Sequence, residues 1–416
     1  MSAGPDATQT DATDTDAAPT DPVDPSVVLF GTFADTPHEG YRQLLERCPV
    51  SRSSGSLDPS ETVYISGYED VNWAVRHPEV FSSAGAVSIG QEQPLIPLQQ
   101  DPPLHTSYRR LLNAPFTPKR IAELEPDVRR LVVRLVDAFA DRGHCDFNDE
   151  FATPLPSTIF LRLMGLPQSD LPMFLQWRDN IVRPDVDPAD FDAAEEIRAR
   201  TGKEIKAYFE SAIDAARKDP PDGLLGELVH AEFEGRALTQ DELLGISQLM
   251  LLGGLDTVTA TLDCMITYLA RHPDRRRQLV EDPSIIPTAV EELLRAETPV
   301  QVIARTVVQP ITMQGVDLKP GDPVMLVLGA ADVDESVFDD PGAVDFERDM
   351  GRHVAFGGGN HRCLGAHLAR LELRVALEEF HRRIPDYRIP DGEDVHFSPG
   401  IRQASRLPLV WGDAPT

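Results

Sequence analysis

What this chain of 416 residues has little of narrows its function before any motif is read. It carries only four cysteines, Cys48, Cys145, Cys264 and Cys363, too scattered for a disulfide framework and suited to a reducing compartment. Cations are scarce: 39 Lys and Arg stand against 68 Asp and Glu, and the formal charge of −29 repels nucleic acid and anionic lipid alike. No apolar run approaches the roughly 18 residues that span a bilayer, and the N-terminus lacks the basic-then-apolar order of a secretion signal. A cytoplasmic protein with neither membrane nor nucleic acid as partner is expected. Residues 1–25 contain six aspartates, no basic residue and little apolar surface to offset the entropy of ordering. A disordered acidic tail is expected there, followed by a single domain over 26–416. Aromatic residues are missing between Ser82 and Leu104, where Gly85, Gly90, Pro94, Pro97, Pro102 and Pro103 forbid a long regular element. A long loop is expected, with Val87, Ile89, Leu95, Ile96 and Leu98 available to line a pocket.

What is present centres on Phe356 to Gly365, FGGGNHRCLG, followed by apolar residues three and four apart as a helix face requires. This spacing sets Cys363 at a helix N-terminus, where partial positive charge favours a thiolate and hence a soft metal ligand. Gly357, Gly358 and Gly359 lack a Cβ and permit a sharp turn and close approach to a flat partner. The same stretch reads equally as a structural cysteine in a glycine loop. A zinc site from His353, His361, Cys363 and His367 lacks the paired cysteine spacing.

Helical periods run over Tyr41–Cys48, Tyr68–Arg76, Ile121–Asp141, Ser157–Met164, Ala193–Lys218 and Pro287–Glu297. Short extended pieces fall at Thr62–Ser66, Thr298–Arg305, Val307–Leu318 and Asp322–Leu328, so a mainly α protein with a small β region is expected. Trp177–Asp190, with Pro184 and Pro188, reads as a flexible connection. The most informative helix starts at the capping box Thr239 and Glu242 and stops at His272 and Pro273, about 30 residues or roughly 45 Å. It is apolar nearly all round and must cross the centre of the protein. Gly253 and Gly254 in its middle cost on the order of 1 kcal/mol each, which close approach of a flat ligand would explain. Asp256 and Thr257 beside them are otherwise a buried, capped acid and a core threonine.

Phe356, Gly359, His361, Cys363 and Gly365 resemble the haem-ligating loop of the cytochromes P450, and GGLDTV resembles the oxygen-activating segment of their camphor-type bacterial branch. The resemblance runs from about Tyr41 to Trp411 and implies the P450 fold, haem b as cofactor and Cys363 as the iron ligand. It implies that Phe356, Gly365, Gly253 and Gly254 border the haem and that His105, Arg109, Arg305 and His353 hold its propionates. Asp256 would relay protons and Thr257 would hydrogen-bond dioxygen. Glu292 and Arg295, three apart on one helix, would join Arg348 in a structural group. Leu95, Ile96, Leu98, Leu249, Leu252, Val300, Gln301, Ile303, Ile401 and Arg402 would border the substrate. Arg402 is expected at the surface; turned inward, it would select a carboxylate or carbonyl.

The implied activity is that of a monomeric haem-thiolate monooxygenase hydroxylating a small to medium apolar substrate, a terpenoid, steroid, fatty acyl or aromatic compound. It would use O2 and electrons from a ferredoxin and ferredoxin reductase, docking near Arg109, Arg110 and Arg362. Camphor itself is disfavoured, because the loop before His105 lacks the tyrosine that camphor-type enzymes use. A peroxygenase, an oxidative coupling enzyme and a non-catalytic haem-binding or ligand-binding protein are the alternatives, and the Asp256-Thr257 pair counts against the peroxide route.

Overall fold

The computed structural model describes residues 24–31, 33–54, 61–86, 91, 93–186, 190–349 and 351–412. Most of the expected acidic tail, residues 1–23, lies outside the described residues, as do Val87 and Ile89. Asp24, assigned to that tail, instead caps the first helix, its side chain accepting from Ser26 N–H.

Helices dominate and pack into one large core that draws on Gln240–Leu255, Thr257–Arg271, Ile286–Glu297 and Ala366–Arg383. The β portion is a five-stranded sheet ordered Val50–Ser54, Glu61–Ile65, Pro323–Val327, Val302–Val307 and Phe81–Ser82. All its neighbours are antiparallel except the Pro323–Val327 and Glu61–Ile65 pair. Val63, Ile65, Val307, Val324 and Leu326 bury a second core against Tyr68–Ala74.

Three helical expectations need correction. Ile121–Asp141 is two helices, Pro118–Ala122 and Glu125–Asp137, because Pro126 lacks an N–H and suits only a first helical turn. Trp177–Asp190 is helical as far as Val182, since the helix Leu171–Val182 buries Phe174, Trp177 and Ile181 before Pro184 ends it. The central helix does begin in a capping box at Thr239 and Glu242, but it breaks at Asp256 and restarts at Thr257.

The expectation about apolar runs is corrected as well. Between Leu243 and Ala270 only Asp256 and Asp263 are charged. Gln240–Arg271 is therefore long and apolar enough to cross a bilayer by composition; its most apolar 18-residue window has a mean hydropathy of 1.4, and 67% of that window is buried inside the fold. That burial marks a core element.

Candidate functional site

The cysteine loop is held by turns. Gly357 (φ 66°) and Gly359 (φ 59°) take the left-handed backbone that a side chain disfavours. Cys363 N–H donates to Phe356 O at 2.9 Å and closes the loop. A Cβ on Gly359 would lie 2.1 Å from Val75 O, and one on Gly358 2.7 Å from Val75 Cγ2. These glycines therefore let the loop dock on the end of the Tyr68–Ala74 helix, a tighter reason than approach to a flat ligand. Gly365 is different, because a Cβ there would enter open space.

Cys363 stands three residues before Ala366, the first residue of the long helix that follows. Its sulfur is open to solvent on one side and flanked by protein on the others. The expected fall in thiol pKa is not found. Loss of hydration pushes the thiol up, opposed by a hydrogen bond from the Gly365 backbone and by Arg109, Arg370 and Arg362. A coordinated cation would supply the missing stabilisation, since a thiol that binds a metal ion is deprotonated outright.

Beside this loop lies a cluster of bases with no carboxylate in ion-pair contact among the described residues; Asp101 acts on His105 and Arg305 only from farther off. His105 is 2% exposed, and neither of its ring nitrogens is hydrogen-bonded among the described residues. Its ring lies 4.1 Å from that of His361, tilted by 43°, and His361 Nε2 is also buried without a partner. Burial, with repulsion from Arg109 and Arg305, lowers His105 to about 4; burial and the facing His105 lower His361 to about 3. Arg305 donates from Nη1 to Ala304 O at 2.6 Å and has no carboxylate in ion-pair contact among the described residues; burial lowers it to about 10. Arg109 donates from Nη1 to Arg362 O at 2.8 Å, tying its helix, Leu104–Asn113, to the cysteine loop. Four basic groups that repel one another call for anions, and the two propionates of haem fit through charge-assisted hydrogen bonds.

His353 is engaged elsewhere. Its Nε2 lies 3.0 Å from Glu291 Oε2, and Glu291 also accepts from Arg370 Nε at 2.6 Å and Nη2 at 2.7 Å. The Arg370 guanidinium in turn sits 4.5 Å from the centre of the Phe356 ring. While His353 is held through Nε2 by Glu291 and keeps a buried Nδ1 without a partner among the described residues, His361 joins His105, Arg109 and Arg305 in this cluster. The motif contained it, but its neighbours come from distant segments that spacing alone does not reveal.

On the central helix, Asp256 is 1% exposed and held by Arg183, whose Nη2 donates to Oδ1 at 2.8 Å and Nη1 to Oδ2 at 3.3 Å. Arg178 Nε lies 3.9 Å from Oδ1. Neither arginine was read from sequence, although the basic positions flanking Asp179 at the end of a helix were a usable signal. Thr257 Oγ1 donates to Gly253 O at 3.1 Å where the helix is broken. A Cβ on Gly253 would meet nothing, whereas one on Gly254 would lie 2.9 Å from Phe160 Cδ2. Of the two, Gly253 borders open space and Gly254 makes room for Phe160.

Glu292 and Arg295 are fully buried and joined by two hydrogen bonds of 2.8 Å, with Arg348 Nε donating to Glu292 Oε1 at 3.1 Å. The expected substrate residues divide. Leu98, Leu249, Leu252, Val300 and Ile401 are half-buried, and Val300 pairs with Ile401 as a bridge. Leu95 and Ile96 are buried where their loop docks on the central helix, Ile96 N–H facing Gly245 O at 3.4 Å. Ile303 packs on the sheet core. Gln301 is fully buried, donating to Tyr41 OH at 2.6 Å and accepting from Gly400 N–H at 3.1 Å, so it braces the returning loop. Arg402, expected at the surface, is 3% exposed and ion-paired to Glu297 at 2.8 Å. Its charge is spent within the fold and cannot select a substrate.

The cytochrome P450 family model matches residues 27–385. The chain is similar to a steroid C26-monooxygenase of Mycolicibacterium smegmatis, 36% identical over 377 residues that cover 90% of this chain and 92% of the relative. A second relative, cytochrome P450 130 of Mycobacterium tuberculosis, is 34% identical over 372 residues, 86% of this chain and 91% of its own length. The crystal structure of CYP109E1 from Bacillus megaterium in complex with testosterone superposes with a TM-score of 0.84 at 28% identity, covering 91% of this chain and 98% of that one.

Proposed function

This chain belongs to the cytochrome P450 family, with the family's fold, haem b cofactor and monooxygenase activity, and we propose that it hydroxylates a steroid-like apolar substrate with electrons from a ferredoxin and its reductase. The observation that carries the reading is the cluster beside the Cys363 loop of the buried bases His105, Arg305 and His361, none of which has a carboxylate in ion-pair contact among the described residues. When bound, haem supplies dioxygen reduction and C–H oxidation, and the cysteine thiolate donates electron density that favours O–O cleavage, as is general for cysteine-ligated haem.

The chain's own residues do the rest. Cys363 offers the sulfur and Arg109 clamps its loop. His105, Arg109, Arg305 and His361 would hold the two carboxylates of haem and so orient it. Phe356, stacked beneath Arg370, and Gly365 border it. Thr257 donates its hydroxyl toward the break in the helix and can exchange that partner for dioxygen. Asp256, held by two contacts from Arg183, can carry a proton inward once Arg183 lets go of it. Leu98, Leu249, Leu252, Val300 and Ile401 offer apolar contacts that keep water from the reacting carbon.

Support for a steroid-like substrate comes from the steroid C26-monooxygenase relatives and the testosterone complex. Titration of the haem-loaded protein with steroids, linear fatty acids and small terpenoids tests it, read by loss of the water-bound low-spin spectrum. A response to steroids alone supports the reading, and a response to fatty acids alone overturns it. Turnover with ferredoxin, ferredoxin reductase and O2, compared with peroxide, separates a monooxygenase from a peroxygenase.

A further inference from the structure

On the helix Gln240–Leu255, the positions Gly245, Gln248, Leu249, Leu252 and Gly253 recur three and four apart and share a face. Its two ends are fixed by observation. At Gly245 the loop packs so closely that a Cβ would lie 2.3 Å from Pro94 O and 3.3 Å from Ile96 Cγ1. At Gly253 the face is open, and Thr257 Oγ1 reaches its carbonyl. Between them Leu249 and Leu252 are half-buried and apolar, as a substrate wall should be. Gln248 interrupts the pattern.

Gln248 is 5% exposed, and its Oε1 is enclosed with no hydrogen-bond partner among the described residues. Buried side-chain amides nearly always find a partner, so one left over in an apolar wall needs an explanation. The terminal bond of a glutamine turns at little cost, which lets the amide present either its acceptor or its donor. We propose that Gln248 recognises a hydroxyl or carbonyl group on the substrate, at the end remote from the carbon that is oxidised. Nine residues separate Gln248 from Thr257, about 13 Å at helical rise, so the substrate class carries its polar group about that far from its reacting carbon. This deepens the steroid-like reading and rests on it, since a rigid ring system with an oxygen at one end and an aliphatic chain at the other has this form.

The test is calorimetric binding to the haem-loaded protein of a sterol with a ring hydroxyl and an aliphatic side chain, beside the same hydrocarbon without the hydroxyl. Wild type is expected to bind the hydroxylated ligand about tenfold more tightly, the value of one neutral hydrogen bond. Gln248→Leu and the near-isosteric Gln248→Met are expected to bind both ligands equally, with affinity for the plain hydrocarbon kept. A tenfold preference that survives in both variants overturns the proposal, as does a preference absent from wild type. Should neither sterol bind wild type, the steroid reading falls by itself. Gln248 is then judged in the same way with a long-chain alkyl ligand and its terminal alcohol: a preference lost only in the variants supports the proposal, and any other pattern overturns it.

Discussion

Glu291 shows how much one side chain can hold. Burial alone would raise its carboxyl, but Arg370 and His353 reverse this and hold it at about 2. The folded pKa lies below the unfolded value of 4.5, so the stabilisation is present above pH 4.5 and is lost as pH falls through about 2. The shift corresponds to about 3 kcal/mol. Glu291→Gln is expected to melt well below wild type at pH 7 and to converge with it toward pH 2; a difference in Tm constant across that range would contradict the assignment. Asp256→Asn removes the group that can carry protons and leaves Arg183 without its carboxylate. Turnover is expected to fall about 100-fold, with substrate affinity by calorimetry unchanged. The placement of Cys363 just before a helix and of Asp256 and Thr257 in the middle of the central helix was legible because local motifs carry them. Gln301 and Arg402 were not, because their partners Tyr41 and Glu297 lie 260 and 105 residues away and a polar residue without a visible partner reads as exposed or as pocket lining.

At the scale of the helix, the two adjacent glycines separate by neighbour. Gly254→Ala would press on Phe160 and is expected to cost about 1–3 kcal/mol in denaturant unfolding of the haem-free protein. Gly253→Ala meets no protein atom and should gain up to about 1 kcal/mol from helix propensity there, while weakening haem retention measured by transfer to a haem acceptor. Equal effects of the two on both measurements would remove the distinction. The central helix was legible from its capping box and its apolar length, and so were most of the sheet strands. Its break at Asp256 falls beside Thr257, whose hydroxyl next to the glycine gap could be expected to disturb the helical ladder and does donate to Gly253 O; the contacts of Asp256 with Arg183 and Arg178 were not legible, because they come from a distant segment. Likewise the two glycines before Asn360 read as ligand contacts until Val75 was seen against them.

For the molecule as a whole, the charge of −29 hides a local reversal at the cysteine loop, where Arg110 and Arg362 are exposed. An acidic electron donor would be steered there, so Arg362→Glu is expected to slow reduction by ferredoxin about tenfold at low salt, with the difference shrinking as salt screens it. A salt-independent effect would point away from steering. The fold class was legible in the sequence because helix periods, four motif regions and their order agree. The pairing of His361 with His105 was not, since it depends on how the loop and the helix Leu104–Asn113 meet in space. The most direct test of the account is the spectrum of the reduced, carbon monoxide-bound protein, taken with Cys363→His beside it. The account predicts the long-wavelength Soret band of thiolate-ligated haem in the wild type and its replacement by a histidine-type band in the variant. A histidine-type band in the wild type, or no bound haem at all, would contradict it.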